Sequence, residues 1–436
     1  MLNVYARVAR LIGSSVLAVV LVSSLTHGQG LGNTPYSALG LGDTYPLGNA
    51  ANLGMGGVGI SNPNPFYLNL QNPALLATRP PVTVFEVGLQ GLSRSLTQQV
   101  NNSTQNQKNF GANLGYLAVA FPANSRWSIS ASLRPFTYVN YSSARTEIVP
   151  GTNRTGVYTY NGTGGLNKAS VATGFKLFEK RNIYIGGEAS FLFGNITNSS
   201  AAYVALNGNG TDTQINLLNR VNYGDVVFKL AAAWRPKLNE NWTLNLGATY
   251  DPQTRLKGTQ TNIYQLTQSS TPIAVPDTSR NNATGKTTLP QQIRAGISIE
   301  RNNRFTAGID VGYQQWSRFR NNDNVNTGLL DVVTTAVGLE LTPKPNSTRY
   351  RDLITYRVGA QYNQMPYEVA GVRITDMNVS TGFSLPLGRY RVNQVTLSLM
   401  YGQRGVLSGM QVREQYLRVA LGFSLADRWF VKRVID

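Results

Sequence analysis

The sequence predicts an all-β transmembrane antiparallel β-barrel of about fourteen strands, with an N-terminal hatch segment in its lumen. The first observation is a hydrophobic period of two: in residues 305–314 the odd positions are apolar and the even ones are polar or glycine. Side chains alternate between the two faces of a strand, so this segment has one apolar and one polar face. The second observation is that many such segments reach the roughly 9–11 residues that a tilted strand needs to cross a bilayer.

The chain begins with a pattern typical of a signal peptide. Arg7 and Arg10 precede an apolar run over residues 11–22, and small residues follow near His27. A membrane anchor is the alternative, but the run is shorter than the roughly 20 residues of a spanning helix. We therefore expect residues 1–28 to be cleaved and the rest to be exported to the outer membrane of a Gram-negative cell.

Residues 29–81 show no strand alternation and are rich in glycine, asparagine and proline. A long irregular segment ahead of a barrel is typical of a functional or plugging element, so we predict a hatch here. Its glycine run lacks the Lys-Ser/Thr of a phosphate loop, and packing inside the barrel is the better interpretation. The predicted hatch motif consists of Gly54, Gly56, Gly57, Gly59, Asn72, Pro73 and Ala74.

The barrel is predicted over residues 82–425, and residues 426–436 are predicted to form a periplasmic tail. The third observation is that connections after even strands are short and polar. Most of those after odd strands are predicted to be long loops, as in residues 99–109, 203–219 and 262–286. This asymmetry is typical of outer-membrane barrels, and periplasmic termini imply an even strand number. Twelve or sixteen strands remain alternatives to fourteen. The predicted strands are 82–95, 110–122, 126–142, 165–178, 181–199, 220–236, 241–257, 286–300, 304–319, 328–343, 353–367, 374–387, 391–404 and 414–425.

The alternation assigns side chains to faces. Ile129 and Leu133 should face lipid while Ser130 and Arg134 face the lumen, since a charge on the lipid face costs about 2–4 kcal/mol at midplane. For the inward charges, an ion-pair network that fills the lumen and holds the hatch is favoured over a lining that tunes substrate passage. The predicted lumen-lining charged residues are Glu86, Arg134, Glu188, Lys229, Arg294, Asp310, Arg357 and Arg418, and Asp376 belongs to the same set.

Composition argues against several other functions. The chain has no cysteine, and its one histidine, His27, lies in the predicted signal peptide. We therefore expect no enzymatic activity, no catalytic residue, no cofactor and no metal site. The formal charge is +18, or about +16 without residues 1–28. Because the cations are scattered, contact with outer-membrane lipid and lipopolysaccharide is favoured over nucleic acid.

The glycine-rich residues 54–60, followed by Asn72-Pro73-Ala74-Leu75, resemble the start of the FadL/TodX (OmpP1) family of outer-membrane transport proteins. Residues 33–43 and 427–433 resemble a Bacteroidetes-type branch of such proteins. The resemblance implies a fourteen-stranded barrel with a hatch, and diffusion-type uptake of hydrophobic, fatty-acid-like molecules that leave through a lateral opening. The alternative is a barrel subunit or plug partner of an outer-membrane secretion complex, with a protein as its partner.

Overall fold

Long antiparallel strands form the wall of the molecule. The structure is a computed structural model that describes residues 31–100, 103–151, 154–178, 181–205, 213–268, 271–273, 277–301, 304–388, 392–407 and 412–427. The predicted signal peptide and all but the first two residues of the predicted tail lie outside these ranges. The strands are β1 (Asp43–Thr44), β2 (Thr83–Val100), β3 (Ser103–Pro122), β4 (Trp127–Ile148), β5 (Thr155–Lys176), β6 (Ile183–Ala205), β7 (Thr213–Trp234), β8 (Trp242–Asp251), β9 (Thr254–Gln268), β10 (Thr271–Pro272), β11 (Asp277–Leu289), β12 (Gln292–Arg301), β13 (Phe305–Gln314), β14 (Val332–Leu341), β15 (Thr355–Val369), β16 (Val372–Pro386), β17 (Gln394–Arg404) and β18 (Arg413–Asp427).

These strands close into an antiparallel barrel with fourteen crossings in the described part of the chain. β18 pairs with β2 along Arg413–Asp427, which seals the sheet edge to edge. β8 with β9, and β11 with β12, each make one crossing, whereas β1 and β10 are two-residue strands outside this count. Closure leaves the sheet without a free outer strand, which is the condition for a sheet in lipid. The predicted fold and strand number are confirmed.

The predicted faces are confirmed, whereas the loops predicted at residues 99–109, 203–219 and 262–286 are wrong for the described residues, most of which are strand. Leu133 is exposed on the outer surface, and Ser130 and Arg134 are buried. Residues 99–109 are mostly strand, because β2 runs to Val100 and β3 begins at Ser103. These polar extensions lack an apolar period because neither face meets a core or lipid, but their backbone groups pair in the ladder as elsewhere. We call the rim where β2 ends and β3 begins the hairpin end, and the opposite rim, where β3 ends at Pro122 and β4 begins at Trp127, the short-turn end.

Two neighbouring wall strands are interrupted by proline. β8 ends directly before Pro252, after which β9 begins, and β11 ends directly before Pro290, after which β12 begins. β7 pairs with β8 only through residues 230–234 and with β9 only through residues 213–223. Residues 224–229 of β7 therefore have no ladder partner on that side, and one backbone amide of the break, Lys257 N, donates instead to Asp225 Oδ2 at 3.0 Å. Proline cannot donate to a ladder, which accounts for the interruption.

A second opening of the ladder is filled by the N-terminal segment, residues 31–78. β3 pairs with β4 only as far as Leu117–Leu133, and beyond that point the edge of β4 is free of β3. β1 pairs with this edge, Asp43 opposite Tyr138, and Thr34 N donates to Asn140 O at 2.8 Å. A short piece of the N-terminal segment thus replaces a wall strand.

The rest of the N-terminal segment lies inside the ring of strands. It contains helix α1 (Ala50–Gly54) and two 3-10 turns, Pro35–Ala38 and Pro73–Thr78. Asn49 begins α1 with a capping box, its side chain accepting from Asn52 N. Almost every residue from 45 to 76 is buried, although the segment has little regular structure, because the wall surrounds it.

The connection between β13 and β14, residues 315–331, folds over the lumen at the hairpin end. We call it the cap loop. The sequence predicts a strand through residue 319, but β13 ends at Gln314 and a 3-10 turn, Trp316–Arg318, follows. Trp316, Phe319 and Leu329 are buried in a hydrophobic cluster with side chains of the N-terminal segment and the wall. The apolar residues that suggested a strand therefore pack inward as a lid.

The described helices are few and short. Besides α1 there is one further α-helix, α2 (Tyr350–Leu353), in a connection at the short-turn end. None of the described helices is long and apolar enough to span a bilayer.

Candidate functional site

Two adjoining cavities lie in the lumen between the N-terminal segment and the cap loop. The first has a volume of about 180 Å³ and the second about 120 Å³. Both are lined by Thr44, Tyr45, Pro46 and Trp316, so they meet along β1 and the cap loop. We call them together the luminal chamber and take the chamber as the candidate site.

The first cavity combines apolar walls with isolated charges. Its apolar lining includes Leu53, Leu329, Met365, Tyr367 and Met400. Its charged lining consists of Asp43, Arg294, Asp376, Arg404 and Arg418. Pockets for small molecules have this mixture, with apolar surface for affinity and a few polar groups for orientation.

Arg294 and Arg418 are the two charges of this lining that are incompletely satisfied. Arg294 is 6% exposed, and its Nη1, like Nε of Arg418, is buried without a hydrogen-bond partner among the described residues. A buried guanidinium nitrogen without a partner is costly, and a carboxylate or phosphate is the group that it binds best. The chamber can therefore hold an acidic head group beside apolar surface.

Three of the chamber charges, Asp43, Asp376 and Arg404, belong with Arg94 and Glu414 to a buried cluster that holds the N-terminal segment. Asp43 Oδ2 lies 2.8 Å from Arg404 Nη1 and accepts from Tyr138 Oη at 2.8 Å. Arg404 Nη2 also lies 3.0 Å from Asp376 Oδ2. Arg94 Nε lies 2.7 Å from a Glu414 carboxylate, which also accepts from Thr34 Oγ1 at 2.8 Å.

The cluster sets the protonation of its members in the N-terminal segment. Burial alone would raise the pKa of Asp43, but the charges of Arg404 and then Arg94 hold that pKa below its ordinary value of 3.8. Burial, with a smaller contribution from Glu414, raises the pKa of Tyr36 to about 12. Asp43 is therefore an anion at neutral pH, and Tyr36 is a neutral donor whose hydroxyl bonds to Val412 O.

Three of the predicted charged residues lie in the lumen around the N-terminal segment. Asp310 accepts from Gly59 N at 2.7 Å and from Ile60 N at 2.8 Å. Glu86 accepts from Leu68 N at 2.6 Å. Arg357 donates to Glu340 Oε2 at 2.6 Å. Two of these three carboxyl and guanidinium groups thus bind the backbone of the segment directly, and the third belongs to a buried pair.

The remaining predicted charges lie elsewhere in the lumen. Arg418 Nη1 donates to Gln90 Oε1 at 3.2 Å beside the first cavity, and Arg134 lines the second cavity. Glu188 pairs with Lys168 at 2.6 Å, and Lys229 lies 3.7 Å from Asp251. The predicted charged residues therefore fall into three groups: some bind the N-terminal segment, some line the luminal chamber, and some pair with other residues of the wall.

The predicted hatch motif contacts a belt of glycines on the inner wall. A Cβ atom at Gly174 would lie 2.5 Å from Pro73 O, and one at Gly382 would lie 2.9 Å from Gly54 Cα. Asn72 accepts from Ala74 N at 3.0 Å and donates to Ile60 O at 2.7 Å. The other wall glycines at which a Cβ would overlap the segment backbone are Gly186, Gly247, Gly338 and Gly359. Only glycine lets the two backbones approach this closely.

Sequence reasoning missed the Asp43 cluster and the cap loop. Arg94 and Arg404 occupy inward positions of alternating strands, so the pattern that identified the other inward charges also marks these two. Asp43 lies in a segment without periodicity, where no pattern gives a face. In the described part of the chain, no group of three or more His, Cys, Asp or Glu residues could hold a metal ion.

Comparisons with known proteins agree on the fold. A family model described as BamG matches residues 11–436. The toluene transporter TodX of P. putida superposes with a TM-score of 0.57 at 15% identity, covering 89% of this chain and 100% of TodX. A Pseudomonas aeruginosa FadL homologue superposes with a TM-score of 0.55 at 14% identity, covering 89% of this chain and 99% of the homologue. The Ralstonia pickettii toluene transporter TbuX superposes with a TM-score of 0.53 at 14% identity, covering 87% of this chain and 98% of TbuX. No curated protein sequence matches the chain.

Proposed function

This chain belongs to the BamG family, and we propose that it takes up hydrophobic or amphipathic small molecules by diffusion through the outer membrane. The fold shared with TodX, TbuX and the FadL homologue supports this proposal. The observation that carries it is the luminal chamber, where apolar side chains line the same cavity as Arg294 and Arg418, each of which has a buried nitrogen without a hydrogen-bond partner among the described residues. That arrangement suits an amphiphile with an acidic head, such as a fatty acid.

We infer further that the N-terminal segment is the hatch predicted from the sequence. Its backbone is pressed against wall glycines and held by the Asp43 cluster, Asp310 and Glu86. Straight passage along the barrel axis would require all these contacts to break. A lateral route through the wall avoids that requirement.

The break between β7 and β8–β9 is the proposed lateral route. The second cavity is lined by Val227, Phe228, Pro252 and Pro290, all at or beside the interrupted ladder. Phe228 lines this cavity and is also 58% exposed on the lipid side of the wall, which supports a connection between the cavity and the outer surface. An apolar chain that leaves here enters lipid without crossing water, which saves about 0.8 kcal/mol per methylene.

A paired substitution tests the chamber. Thr334 lines the first cavity, and Thr335 is the next residue on the same strand and points the opposite way. We expect Thr334→Trp to fill the cavity and lower uptake of labelled fatty acids by cells at least tenfold, and Thr335→Trp to leave it unchanged. Equal uptake by both variants across a panel of fatty acids, alkanes and monoaromatics would reject the proposal.

A disulfide tests the route, since the chain has no cysteine of its own. Oxidised Phe228→Cys/Pro252→Cys should lose uptake and regain it on reduction. The control is Ala232→Cys/Ala248→Cys, which joins directly paired residues of β7 and β8 below the break. Undiminished uptake with the first bond formed would contradict a lateral exit here.

A second candidate function is a barrel subunit or plug partner of an outer-membrane secretion complex. The observation that favours it is the extent to which the N-terminal segment fills the lumen, because a scaffold needs no open path. Stable co-purification of a large protein in mild detergent, together with unchanged uptake by Thr334→Trp, would favour this function. The finer placement in a Bacteroidetes-type branch rests on residues 33–43 and 427–433 and belongs to the same proposal.

A further inference from the structure

A row of basic side chains lies on the outer surface directly above the proline breaks. Arg255 of β9 is opposite Thr288 of β11, and Thr288 forms a bridge with Arg320 of the cap loop. Thr288 N donates to Arg320 O at 2.9 Å, which fixes that register. Arg255 and Arg320 therefore flank Thr288 on either side, on three adjacent segments and at the same level along the barrel axis.

These residues form a pocket with an unbalanced charge. A cavity of about 300 Å³ is lined by Gln253, Arg255, Thr288, Arg318, Arg320 and Asn324. This lining contains three arginines and no carboxylate. Arg255 and Arg318 form no ion pair with any described residue, and Arg320 Nη1 donates only to the backbone oxygens of Ser317 and Phe319. Three positive charges around one cavity repel one another unless an anion lies between them.

A second, independent observation also indicates an anion. One step along the same strands, Lys257 is directly opposite Lys286, and both side chains are exposed on the outer face. Like charges directly opposite each other destabilise a sheet. The arginine row and the pair of Lys257 and Lys286 together form one continuous positive surface over β9 and β11.

The level of this surface relative to the apolar band identifies the kind of anion. Tyr250, Ile293 and Tyr313 form the matching row below the breaks, paired across β8, β12 and β13. All three are exposed on the outer face, and the two tyrosines are of the kind that marks a membrane interface. The arginines above them therefore lie at the level of lipid head groups.

We propose that the pocket of Arg255, Arg318 and Arg320 binds a phosphate group of an outer-leaflet lipid, namely the phosphorylated lipid A part of lipopolysaccharide. Arginine forks bind phosphate oxygens in pairs, and basic pockets at the membrane surface bind anionic head groups. The lipid's acyl chains then lie along Tyr250 and Ile293, beside the break at Pro252. This inference rests on the proposed outer-membrane location.

Native mass spectrometry of the purified full-length chain in detergent tests the pocket without reference to cell location. The probes are bisphosphorylated lipid A, the same lipid with both phosphates removed, and inorganic phosphate as a competitor. The test variant is Arg255→Gln/Arg318→Gln/Arg320→Gln. The matched control removes three exposed cations elsewhere, Lys108→Gln/Arg349→Gln/Arg351→Gln.

We expect the test variant to bind bisphosphorylated lipid A at least tenfold more weakly than the native chain, and the control variant to bind it equally well. The native chain should also prefer the bisphosphorylated over the dephosphorylated lipid at least tenfold. Equal losses in both variants, equal binding of both lipids, or displacement by inorganic phosphate at concentrations equimolar with the lipid would overturn the proposal. Cell fractionation that places the chain outside the outer membrane would instead contradict the proposed function.

Discussion

Asp43→Asn is the substitution that examines most directly what holds the N-terminal segment in the barrel. The change removes one negative charge and keeps the shape of the side chain. In the native chain that charge lies 2.8 Å from Arg404 Nη1 and 4.0 Å from Arg94 Nη2, and all three side chains are at most 9% exposed. Arg404 and Arg94 belong to the wall, so this carboxylate joins the segment to the barrel.

The free-energy cost of Asp43→Asn depends on the ion pairs that Arg404 and Arg94 keep after the substitution. Removing one partner of a buried ion pair costs about 3–5 kcal/mol, because the other charge remains buried and uncompensated. Arg404 keeps Asp376 at 3.0 Å, and Arg94 keeps Glu414 at 2.7 Å. The lower end of the range, about 3 kcal/mol, therefore applies. At 1.4 kcal/mol per factor of ten, the ratio of seated to released segment should fall by roughly a hundredfold.

Single-channel conductance in a planar bilayer measures this ratio, since release of the segment opens the lumen. The open fraction should rise by about two orders of magnitude in Asp43→Asn. The control is Asp323→Asn, which breaks an ion pair with Arg280 whose side chains are 37% and 44% exposed. Exposed pairs contribute only about 0–1 kcal/mol, so the control should resemble the native chain. If Asp43→Asn conducts like the native chain, or the two variants conduct alike, the buried cluster does not hold the segment.

Three further predictions concern the same segment. The folded-state pKa of Asp43 lies below its ordinary value of 3.8, so the stabilisation that Asp43 gives the seated segment is complete above about pH 4 and is lost as the pH falls through the lower folded-state value. Conductance of the native chain should therefore rise in acid, and Asp43→Asn should show a smaller rise. Identical pH profiles of the two chains would contradict this role of Asp43. Gly247→Val places a side chain where Ile60 O lies and should release the segment and lower the urea midpoint by an amount equivalent to about 1–3 kcal/mol, while Ala248→Val on the lipid face should do neither. Deletion of residues 30–75 should raise the conductance above that of any point variant, and an unaltered conductance would show that the segment does not fill the lumen.

Part of the candidate site was predictable from the sequence because strand alternation assigns faces without knowledge of the fold. Asp310 and Glu86 were predicted as inward charges on that basis alone, and both are buried in contact with the N-terminal segment. The pairing of charges was not predictable, since each lies on a different strand and the register between strands is not encoded locally. Asp43 meets Arg404 across 361 positions of sequence, and no periodicity marks the irregular segment in which it lies.

The sequence by itself determined a closed antiparallel barrel and the face of most wall residues, and it favoured fourteen strands over twelve or sixteen. Each of these follows from a local rule, the alternation of side chains along a strand in lipid. Only the tertiary structure decided that residues 315–331 fold inward as a cap and that a piece of the N-terminal segment replaces a wall strand beside β4. It also decided that Arg294 lines a cavity while its Nη1 has no hydrogen-bond partner among the described residues. Those features depend on contacts between residues far apart in the chain, whose free energies become defined only once the wall has closed around them.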